Sequence, residues 1–378
     1  MINIGKFVSC LEENGVSFFT GVPDSLLNGF CKYLEKNLSP EKHVIAANEG
    51  NAVATACGYY FSTGKIPLVY MQNSGIGNAL NPLVSLADKN VYSVPMILLI
   101  GWRGEPDRND WPQHKTQGII TPKVLDDMEI PDLVLENNDD AVVEAVHSAL
   151  SAANKVRSPF ALLVKKGVCD GDKEKSIDTD FPLSREDAIK VILETLPEDT
   201  LFVATTGRAT RELYYLREEA GQSHQYDLLN VGAMGHVLSI AVGISLGNKN
   251  RKVVCLDGDS AAIMHMGGMT TVSKVDVPNL MHIVLNNGSH ESVGGQLSAG
   301  RMVDLTNIAE SCGFNTIGSA VSEKEELIGA LRKLSEQDGP SFIDVHIRKG
   351  MRDNLKPLDI DHHKLIEGFM NETIKRGA

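Results

Sequence analysis

The sequence predicts an α/β protein built from two doubly wound parallel-sheet domains. Short runs of β-branched and aliphatic residues alternate with helical stretches, which is the pattern of parallel sheets made of βαβ units. The 378 residues are enough for about two or three domains. A charged stretch at 169–181 is too polar for a core and predicts a linker. We therefore expect one domain over 1–168 and another over 182–378.

Each expected strand is a short apolar run between helical stretches or turns. In the first domain the strands are expected at 17–20, 43–46, 68–71, 96–100 and 161–164. In the second domain strands are expected from Leu201 onward, with Arg251–Leu256 and His282–Leu285 as neighbouring parallel strands. The two halves are faintly alike, because in each a helix rich in small residues, at 51–58 and 236–243, precedes a strand and a turn.

The composition of the chain argues against several classes of function. The net charge of −13 argues against binding to nucleic acid or to an anionic membrane surface. No apolar run approaches the roughly 20 residues of a membrane span, and residues 1–10 lack the pattern of a signal peptide. We therefore expect a cytoplasmic protein. The 6 cysteines are scattered without a CxxC motif, and we expect free thiols without a chemical role.

The run Leu256-Asp257-Gly258-Asp259-Ser260 is the most informative motif of the chain. It follows an apolar strand and opens a helix, and Asn287 lies 28 positions after Asp259, at the end of the next expected strand. Two oxygen donors would thus meet at the carboxyl ends of neighbouring parallel strands, where open α/β sheets bind ligands. Mg²⁺ prefers oxygen ligands and usually keeps phosphate oxygens among them. The motif therefore predicts a site for Mg²⁺ and a diphosphate.

Two simpler explanations compete with a metal-diphosphate site. A Ca²⁺-binding EF-hand loop would need oxygen ligands where Ala261 and Gly268 stand, so the sequence excludes it. A plain structural turn is compatible with an Asp-Gly pair. It does not explain the Asn-Asn-Gly turn at 286–288, which follows the neighbouring strand.

Each half has one unusual residue ahead of its small-residue helix. Glu49 begins an apolar helix, where an acidic residue often only caps the helix or interacts with its dipole. Met234 stands between glycines in Gly232–Gly235, and a methionine is more often core filler than a cofactor contact. Position alone favours these simpler roles for both residues.

Several segments, taken together, resemble the thiamine diphosphate-dependent decarboxylases. The Gly-Asp and Asn-Asn elements carry this resemblance together with Asn48–Gly50 and Gly232–His236. Further segments resemble, more narrowly, the phosphonopyruvate and sulfopyruvate decarboxylase family. These are Thr20–Ser25, Gly101–Pro106, Pro112–His114 with Gln117–Gly118, and Thr206–Arg208 with Arg211–Leu213. The resemblance spans nearly the whole chain. It departs from the usual pattern at Ser260, where a glycine is common, and keeps the metal carboxylate.

The resemblance implies that the two domains bind different parts of the cofactor. Residues 1–168 would bind the pyrimidine part of thiamine diphosphate and residues 182–378 its diphosphate, without the middle domain of larger relatives. In this family the cofactor lies between the pyrimidine domain of one subunit and the diphosphate domain of another. A homo-oligomer, at least a dimer, is therefore implied.

The resemblance also implies a metal site and a catalytic residue. The implied Mg²⁺ ligands are Asp259, the side chain of Asn287 and the backbone carbonyl of Ser289, although spacing cannot settle whether Asn286 or Asn287 turns inward. Glu49 would be catalytic, since a carboxyl group bonded to the pyrimidine ring nitrogen turns the aminopyrimidine into the base that deprotonates the thiazolium carbon. Met234 would hold the cofactor in its bent form. The implied cofactor-binding residues are Gly232, Met234, Gly258, Asp259, Ser260, Asn287, Ser74 and Asn78.

The implied reaction is the decarboxylation of a 2-oxo acid that carries a second anionic group. The thiazolium ylid adds to the keto carbon, CO₂ leaves, and protonation of the enamine releases an aldehyde. Phosphonopyruvate would give phosphonoacetaldehyde, as in the biosynthesis of 2-aminoethylphosphonate. Sulfopyruvate is the main rival, although a single chain with both domains favours phosphonopyruvate because sulfopyruvate enzymes are often split into two polypeptides. A carboligase and a non-catalytic phosphate-binding module are alternatives from other classes.

A second anionic group on the substrate calls for N–H donors. The predicted substrate-binding residues are Asp24, Ser25, Arg103, His114 and Arg352. Asp24 and Ser25 follow a strand and could instead cap a helix. Arg108 and Lys115 fit substrate binding and a solvated loop equally well.

Overall fold

The computed structural model describes residues 1–171, 180–358 and 360–375. The chain forms two compact units. The first contains residues 1–171 and the short segment Val293–Gln296, and the second contains the other described residues from 180 onward. Residues 172–179 of the expected linker lie outside the described residues.

The first unit is built on a parallel sheet of six strands. The strands are β1 Phe18–Gly21, β2 His43–Ile45, β3 Pro67–Gln72, β4 Met96–Gly101, β5 Asp132–Leu135 and β6 Pro159–Val164. Their order in the sheet is β2-β1-β3-β4-β6-β5. The expected strands are all found, with small shifts of their ends. The sequence prediction missed β5, because this edge strand has a short apolar run in which Leu133 and Val134 are exposed.

Helices cover both faces of this sheet. They are α1 Ile4–Glu13, α2 Asn28–Asn37, α3 Glu49–Thr63, α4 Ile76–Pro82, α5 Pro112–Asp127 and α6 Asp139–Val156. Alternate strand residues enter two separate apolar cores, with Tyr70 and Leu99 in one and Met71 and Leu98 in the other. A parallel sheet that is buried on both faces is the doubly wound arrangement, so the predicted fold class is confirmed for this unit.

The second unit repeats this architecture with five strands. The strands are β7 Leu201–Ala204, β8 Asp227–Leu229, β9 Val253–Gly258, β10 Leu280–Asn286 and β11 Ser341–His346. All pairs are parallel, and the order is β11-β10-β9-β7-β8. The helices are α7 Arg185–Thr195, α8 Arg208–Glu219, α9 Val237–Gly247, α10 Asp259–Met264, α11 Met269–Val272, α12 Leu305–Ser311, α13 Lys324–Ser335 and α14 His362–Lys375. Apolar cores again lie on both faces, so the fold class is confirmed here too.

Each sheet has a point where the chain leaves two neighbouring strands in opposite directions. In the first sheet this point lies between β1 and β3, and in the second it lies between β7 and β9. Open α/β sheets bind ligands at the carboxyl ends of strands beside such a point. Functional side chains are therefore expected directly after these four strands.

Two further sequence features can be located in the fold. Within the described residues, no helix has both the length and the apolar character needed to span a membrane. All 6 cysteines lie in the described part of the chain and are free thiols, and Cys312 is less deeply buried than the other five.

Candidate active site

Glu49 is the first residue of α3, directly after the residue that caps this helix. The cap is Asn48, whose side-chain oxygen accepts a hydrogen bond from the backbone N–H of Asn51 at 2.9 Å. The Glu49 side chain is buried, and its Oε2 accepts a hydrogen bond from Asn78 Nδ2 at 2.7 Å. Because Asn48 already caps the helix, the Glu49 carboxylate is left for another role.

The turn after β3 lies directly against Glu49. A Cβ atom at Gly75 would be 2.4 Å from Glu49 Oε1, so only a glycine allows the backbone to approach this closely. The turn continues into α4, which carries Asn78. Ser74 is exposed in the same turn, and its Oγ donates to Gln72 Oε1 at 2.8 Å. The structure thus brings together three predicted site residues, Glu49, Ser74 and Asn78.

Asp24 follows β1 and is fully buried. Its carboxylate accepts hydrogen bonds from the backbone N–H of Leu26 at 3.0 Å and from Gln72 Nε2 at 2.6 Å. Burial raises the pKa of Asp24, although these hydrogen bonds and the charge of Arg103 oppose the rise. A Cβ atom at Gly101 would be 2.0 Å from Asp24 Oδ2, so the carboxylate fits only beside a glycine. Asp24 therefore caps the following turn and also joins the ends of β1, β3 and β4.

Arg103 follows β4 and is held by two side chains. Its Nε and Nη2 donate to the two carboxylate oxygens of Asp110 at 2.8 and 2.6 Å, and its Nη1 donates to Ser25 Oγ at 3.1 Å. Burial acts to raise the pKa of Asp110, but hydrogen bonds from Arg103 and from the backbone outweigh it and lower this pKa. Burial, with the charge of Arg103, lowers the pKa of His114 to about 4, so its imidazole is neutral at pH 7.

In the second unit, Asp259 begins α10 directly after β9 and is 3% exposed. Its Oδ2 accepts a hydrogen bond from Ser298 Oγ. Burial raises the pKa of Asp259 to about 6 against this hydrogen bond, and the Asp344 carboxylate adds to the rise. Among the residues that the structure describes, no Lys, Arg or His forms an ion pair with Asp259. A buried carboxylate without a cationic partner fits a bound metal ion.

Asn287 directly follows β10 and is also buried. Its Oδ1 accepts a hydrogen bond from the backbone N–H of Ser289 at 3.0 Å. Its Nδ2 donates to Glu291 Oε2 at 2.9 Å. The two sides of this amide therefore have different partners, and the amide has a defined orientation.

The neighbouring Asn286 and the Asp259 carboxylate both lie against Gly300. Asn286 Nδ2 donates to the backbone carbonyl of Gly300 at 2.8 Å, and Oδ1 accepts from the N–H of Gly288 at 3.1 Å. A Cβ atom at Gly300 would be 2.4 Å from Asp259 Oδ2 and 2.8 Å from Asn286 Oδ1. The contacts of both amides are compatible with metal ligation. Ligation by Asn287 therefore stays a prediction.

Met234 lies in the loop between β8 and α9. Its neighbour Ala233 has a φ of 48°, in the left-handed region that residues other than glycine rarely adopt. Gly235 has a φ of 84°, and a Cβ atom there would be 2.6 Å from the His265 ring. Met234 itself is half-buried and belongs to neither apolar core of this unit, which argues against core filling. Backbone strain of this kind is typical of functional sites.

Several hydroxyl groups at the same edge of the second sheet have no hydrogen-bond partner in the described part of the chain. They are Thr205 Oγ1 after β7, Ser260 Oγ after β9 and Ser289 Oγ after β10. A buried hydroxyl without a partner is costly, and a diphosphate offers the acceptors that such donors need. Ser260, which stands where a glycine is common, supplies one of these hydroxyls. The donor set therefore fits a diphosphate and its metal ion.

Arg352 is engaged by two carboxylates. Its Nε donates to Glu186 Oε2 at 2.9 Å, and its two Nη atoms contact Glu186 and Glu219. Hydrogen bonds to these carboxylates raise the pKa of Arg352. To bind an anionic substrate as predicted, Arg352 would have to leave both of these ion pairs.

Sequence reasoning missed several residues that surround the proposed site for the metal ion and the diphosphate. Thr205, Ser298 and Asp344 lie far from the motif in sequence, so nothing in the pattern pointed to them. Glu291 had one usable signal, because it follows the Asn-Asn-Gly turn closely.

Two domain families of the thiamine pyrophosphate enzymes match this chain, and thiamine pyrophosphate is another name for thiamine diphosphate. Residues 6–130 match the N-terminal TPP binding domain, and residues 205–345 match the C-terminal TPP binding domain. A phosphonopyruvate decarboxylase of Streptomyces viridochromogenes is 31% identical over 374 residues, which cover 94% of this chain and 91% of that protein. The chain belongs to this family of thiamine diphosphate-dependent decarboxylases.

Two more members of the family show how its substrates vary. A phosphonopyruvate decarboxylase of Streptomyces hygroscopicus is 30% identical and covers 98% of this chain and 93% of its own length. A sulfopyruvate decarboxylase of Methanosarcina acetivorans is 26% identical over 369 residues, with 91% of each chain covered. A single chain with both domains therefore does not discriminate between the two substrates, contrary to our expectation. The family does establish a lyase that uses thiamine diphosphate and Mg²⁺ to decarboxylate a 2-oxo acid.

Proposed function

We propose that this enzyme decarboxylates phosphonopyruvate to phosphonoacetaldehyde and CO₂ in phosphonate biosynthesis. The observation that carries the proposal is the guanidinium of Arg103, which Asp110 and Ser25 hold in a fixed orientation beside Asp24. A guanidinium with fixed N–H groups suits a tetrahedral anion. Phosphonopyruvate is favoured over sulfopyruvate because the two Streptomyces relatives match more of the chain at higher identity.

Residues of the first unit would prepare the cofactor and bind the substrate. When bound, thiamine diphosphate supplies the carbon nucleophile and the electron sink for loss of CO₂. Glu49 would hold a hydrogen bond to the aminopyrimidine ring, with its carboxylate fixed by Asn78 and by the close approach of Gly75. Arg103 would bind the phosphonate, while neutral His114 would add a hydrogen bond without adding charge.

Residues of the second unit would hold the metal and the diphosphate. Asp259, Asn287 and the carbonyl of Ser289 are the proposed Mg²⁺ ligands, and the positive charge would stabilise the buried Asp259 carboxylate. The unpaired hydroxyls of Thr205 and Ser260 are proposed diphosphate donors. Met234 would pack against the cofactor from its strained loop. The domain boundaries at 168 and 182 are part of this proposal.

We also propose a homo-oligomer, at least a dimer. Several large apolar side chains of the first unit are exposed, namely Phe61, Leu80, Val84, Val91 and Tyr92. The Phe61 and Tyr92 rings contact each other edge to face with centroids 5.6 Å apart. Exposed apolar side chains that contact each other, as this pair does, are typical of association surfaces. Light scattering after gel filtration tests this, and an active monomer would contradict it.

The substrate is tested by measuring CO₂ and aldehyde release from phosphonopyruvate and sulfopyruvate, each with and without thiamine diphosphate and Mg²⁺. We expect cofactor-dependent turnover that strongly favours phosphonopyruvate. A preference for sulfopyruvate would contradict the proposed substrate and keep the mechanism. Product analysis covers the carboligase alternative, because a new carbon–carbon bond would replace the free aldehyde.

A further inference from the structure

Hydrogen-bond donors surround the carboxylate of Glu291. Oε2 accepts from Asn287 Nδ2 at 2.9 Å and from Arg185 Nη1 at 3.1 Å. Oε1 pairs with Arg208 Nη1 at 2.7 Å and accepts from the backbone N–H of Gly350. The Glu291 side chain is only 12% exposed, so these charged donors compensate a carboxylate that is largely removed from water.

One of these partners, Asn287, is a proposed metal ligand. An asparagine amide can turn over and exchange the positions of its oxygen and nitrogen. Because a carboxylate can only accept, Glu291 requires the nitrogen of Asn287 on its own side. Oδ1 must then point away from Glu291, where it accepts the N–H of Ser289 at 3.0 Å. If the amide turned over, its NH₂ group would replace the oxygen and repel a cation.

We propose that Glu291 is a positioning residue of the metal site, which fixes the Asn287 amide with its oxygen available to Mg²⁺. The inference rests on the proposed ligation of Mg²⁺ by Asn287. Hydrogen-bond partners of metal ligands orient those ligands, and their removal typically weakens metal binding by about 10–100-fold.

Arginines at the N-termini of two helices hold Glu291 in this position. Arg208 is the first residue of α8, and its Nη2 also donates to the backbone carbonyl of Glu291 at 2.9 Å. Arg185 is the first residue of α7, and Glu212 anchors it through hydrogen bonds of 2.8 and 3.1 Å. The position of Glu291 is therefore set by both its side chain and its backbone.

A purely structural role in this buried charge network is the competing explanation. Glu212 provides a matched control, because it is also a glutamate, is more deeply buried and is paired with the same Arg185. Its hydrogen bonds go to Arg185, and it makes none with Asn287. Glu212→Gln thus removes a buried charge from the network and leaves the Asn287 amide with its partner.

The experiment measures Mn²⁺ binding, in place of Mg²⁺, by electron paramagnetic resonance in the presence of thiamine diphosphate. Glu291→Gln cannot accept from Asn287 and from both arginines at once. We expect its half-saturating Mn²⁺ concentration to rise about 10–100-fold, with turnover largely recovered at saturating Mn²⁺. Glu212→Gln should bind Mn²⁺ within about threefold of the wild type, even where both variants lose similar thermal stability without metal.

A paired variant tests the direction of the hydrogen bond. Asn287→Asp combined with Glu291→Gln lets the new amide donate to the new carboxylate, so Mn²⁺ binding should recover relative to Glu291→Gln alone. If Glu291→Gln does not fold, Glu291→Asp keeps the charge but withdraws it from Asn287 and should weaken binding in the same way.

The outcomes separate this inference from the proposed metal site. Unchanged Mn²⁺ binding in the Glu291 variants would overturn the positioning role, as would an equal loss in Glu212→Gln. No Mn²⁺ binding by the wild type, or binding by Asp259→Asn as tight as by the wild type, would overturn the proposed metal site itself.

Discussion

Glu49→Gln replaces the proposed catalytic carboxylate by an amide of the same shape. Asn78 Nδ2, which donates to Glu49 Oε2 at 2.7 Å, can donate equally well to the new amide oxygen. No packing atom is lost, so the free energy of unfolding should change by less than about 1 kcal/mol. An amide cannot share a proton with the aminopyrimidine, and a positioned acid or base contributes about 10²–10⁴-fold to a rate. We expect turnover to fall by about that factor.

The matched control is Asn48→Ala, which removes the cap of the same helix. Its side-chain oxygen accepts the N–H of Asn51 at 2.9 Å, and loss of such a cap costs about 0.5–2 kcal/mol of stability. The two variants should therefore show opposite patterns, with Glu49→Gln losing turnover and Asn48→Ala mainly losing stability.

The assays are CO₂ release at saturating cofactor, urea unfolding, and calorimetric binding of thiamine diphosphate with Mg²⁺. Cofactor affinity in Glu49→Gln should stay within about tenfold of the wild type, because one hydrogen bond is worth about 1 kcal/mol. Turnover of Glu49→Gln close to the wild-type value would refute the reasoning. Glu49 would then serve only the helix dipole.

Three further substitutions, two of them with a matched control variant, test the first unit. Gly75→Ala places a methyl group 2.4 Å from the Glu49 carboxylate and should lower turnover about 10²-fold. Gly77→Ala, with open space around its Cβ position, should leave turnover nearly unchanged in the same assay. Arg103→Lys loses the paired N–H geometry and should raise the KM for phosphonopyruvate about 10–100-fold, while Arg108→Lys, at an exposed position, should change KM less than about threefold. Asp110→Asn should destabilise the protein at pH 7, because the lowered pKa of Asp110 stabilises the fold above the ordinary aspartate pKa of about 3.9. In urea unfolding the difference should disappear only as the pH falls below that value and through the folded-state pKa.

The fold could be predicted from the sequence because buried parallel strands are continuous apolar runs. Leu98 to Ile100 in β4 and Val254 to Leu256 in β9 are fully buried, and their composition alone marks them as strands. β5 could not be found in this way, since an edge strand with exposed Leu133 and Val134 needs no long apolar run. The strand order also could not be read from composition, because it depends on which runs become neighbours.

In the candidate site, too, some residues could be predicted from the sequence and others could not. Asp259 and Glu49 could be predicted as site residues because each stands in a short motif at the carboxyl side of an expected strand. Their supporting atoms are long-range partners, such as Ser298 for Asp259 and Asn78 for Glu49, and no spacing rule connects them. Glu291 combines both cases, because it follows the Asn-Asn-Gly turn closely but is paired with an arginine that is 106 positions away in the sequence.

The charge of this enzyme explains why its sequence alone could not distinguish a phosphonate substrate from a sulfonate substrate. The chain carries a net charge of −13, yet the family uses a diphosphate cofactor. The buried Arg185 and Arg217 are paired with Glu212 and Asp227, and the half-buried Arg103 is paired with Asp110. A paired guanidinium offers an anion fixed N–H donors rather than surplus positive charge. Discrimination between two tetrahedral anions must then come from the geometry of those donors, which the count and spacing of basic residues do not contain.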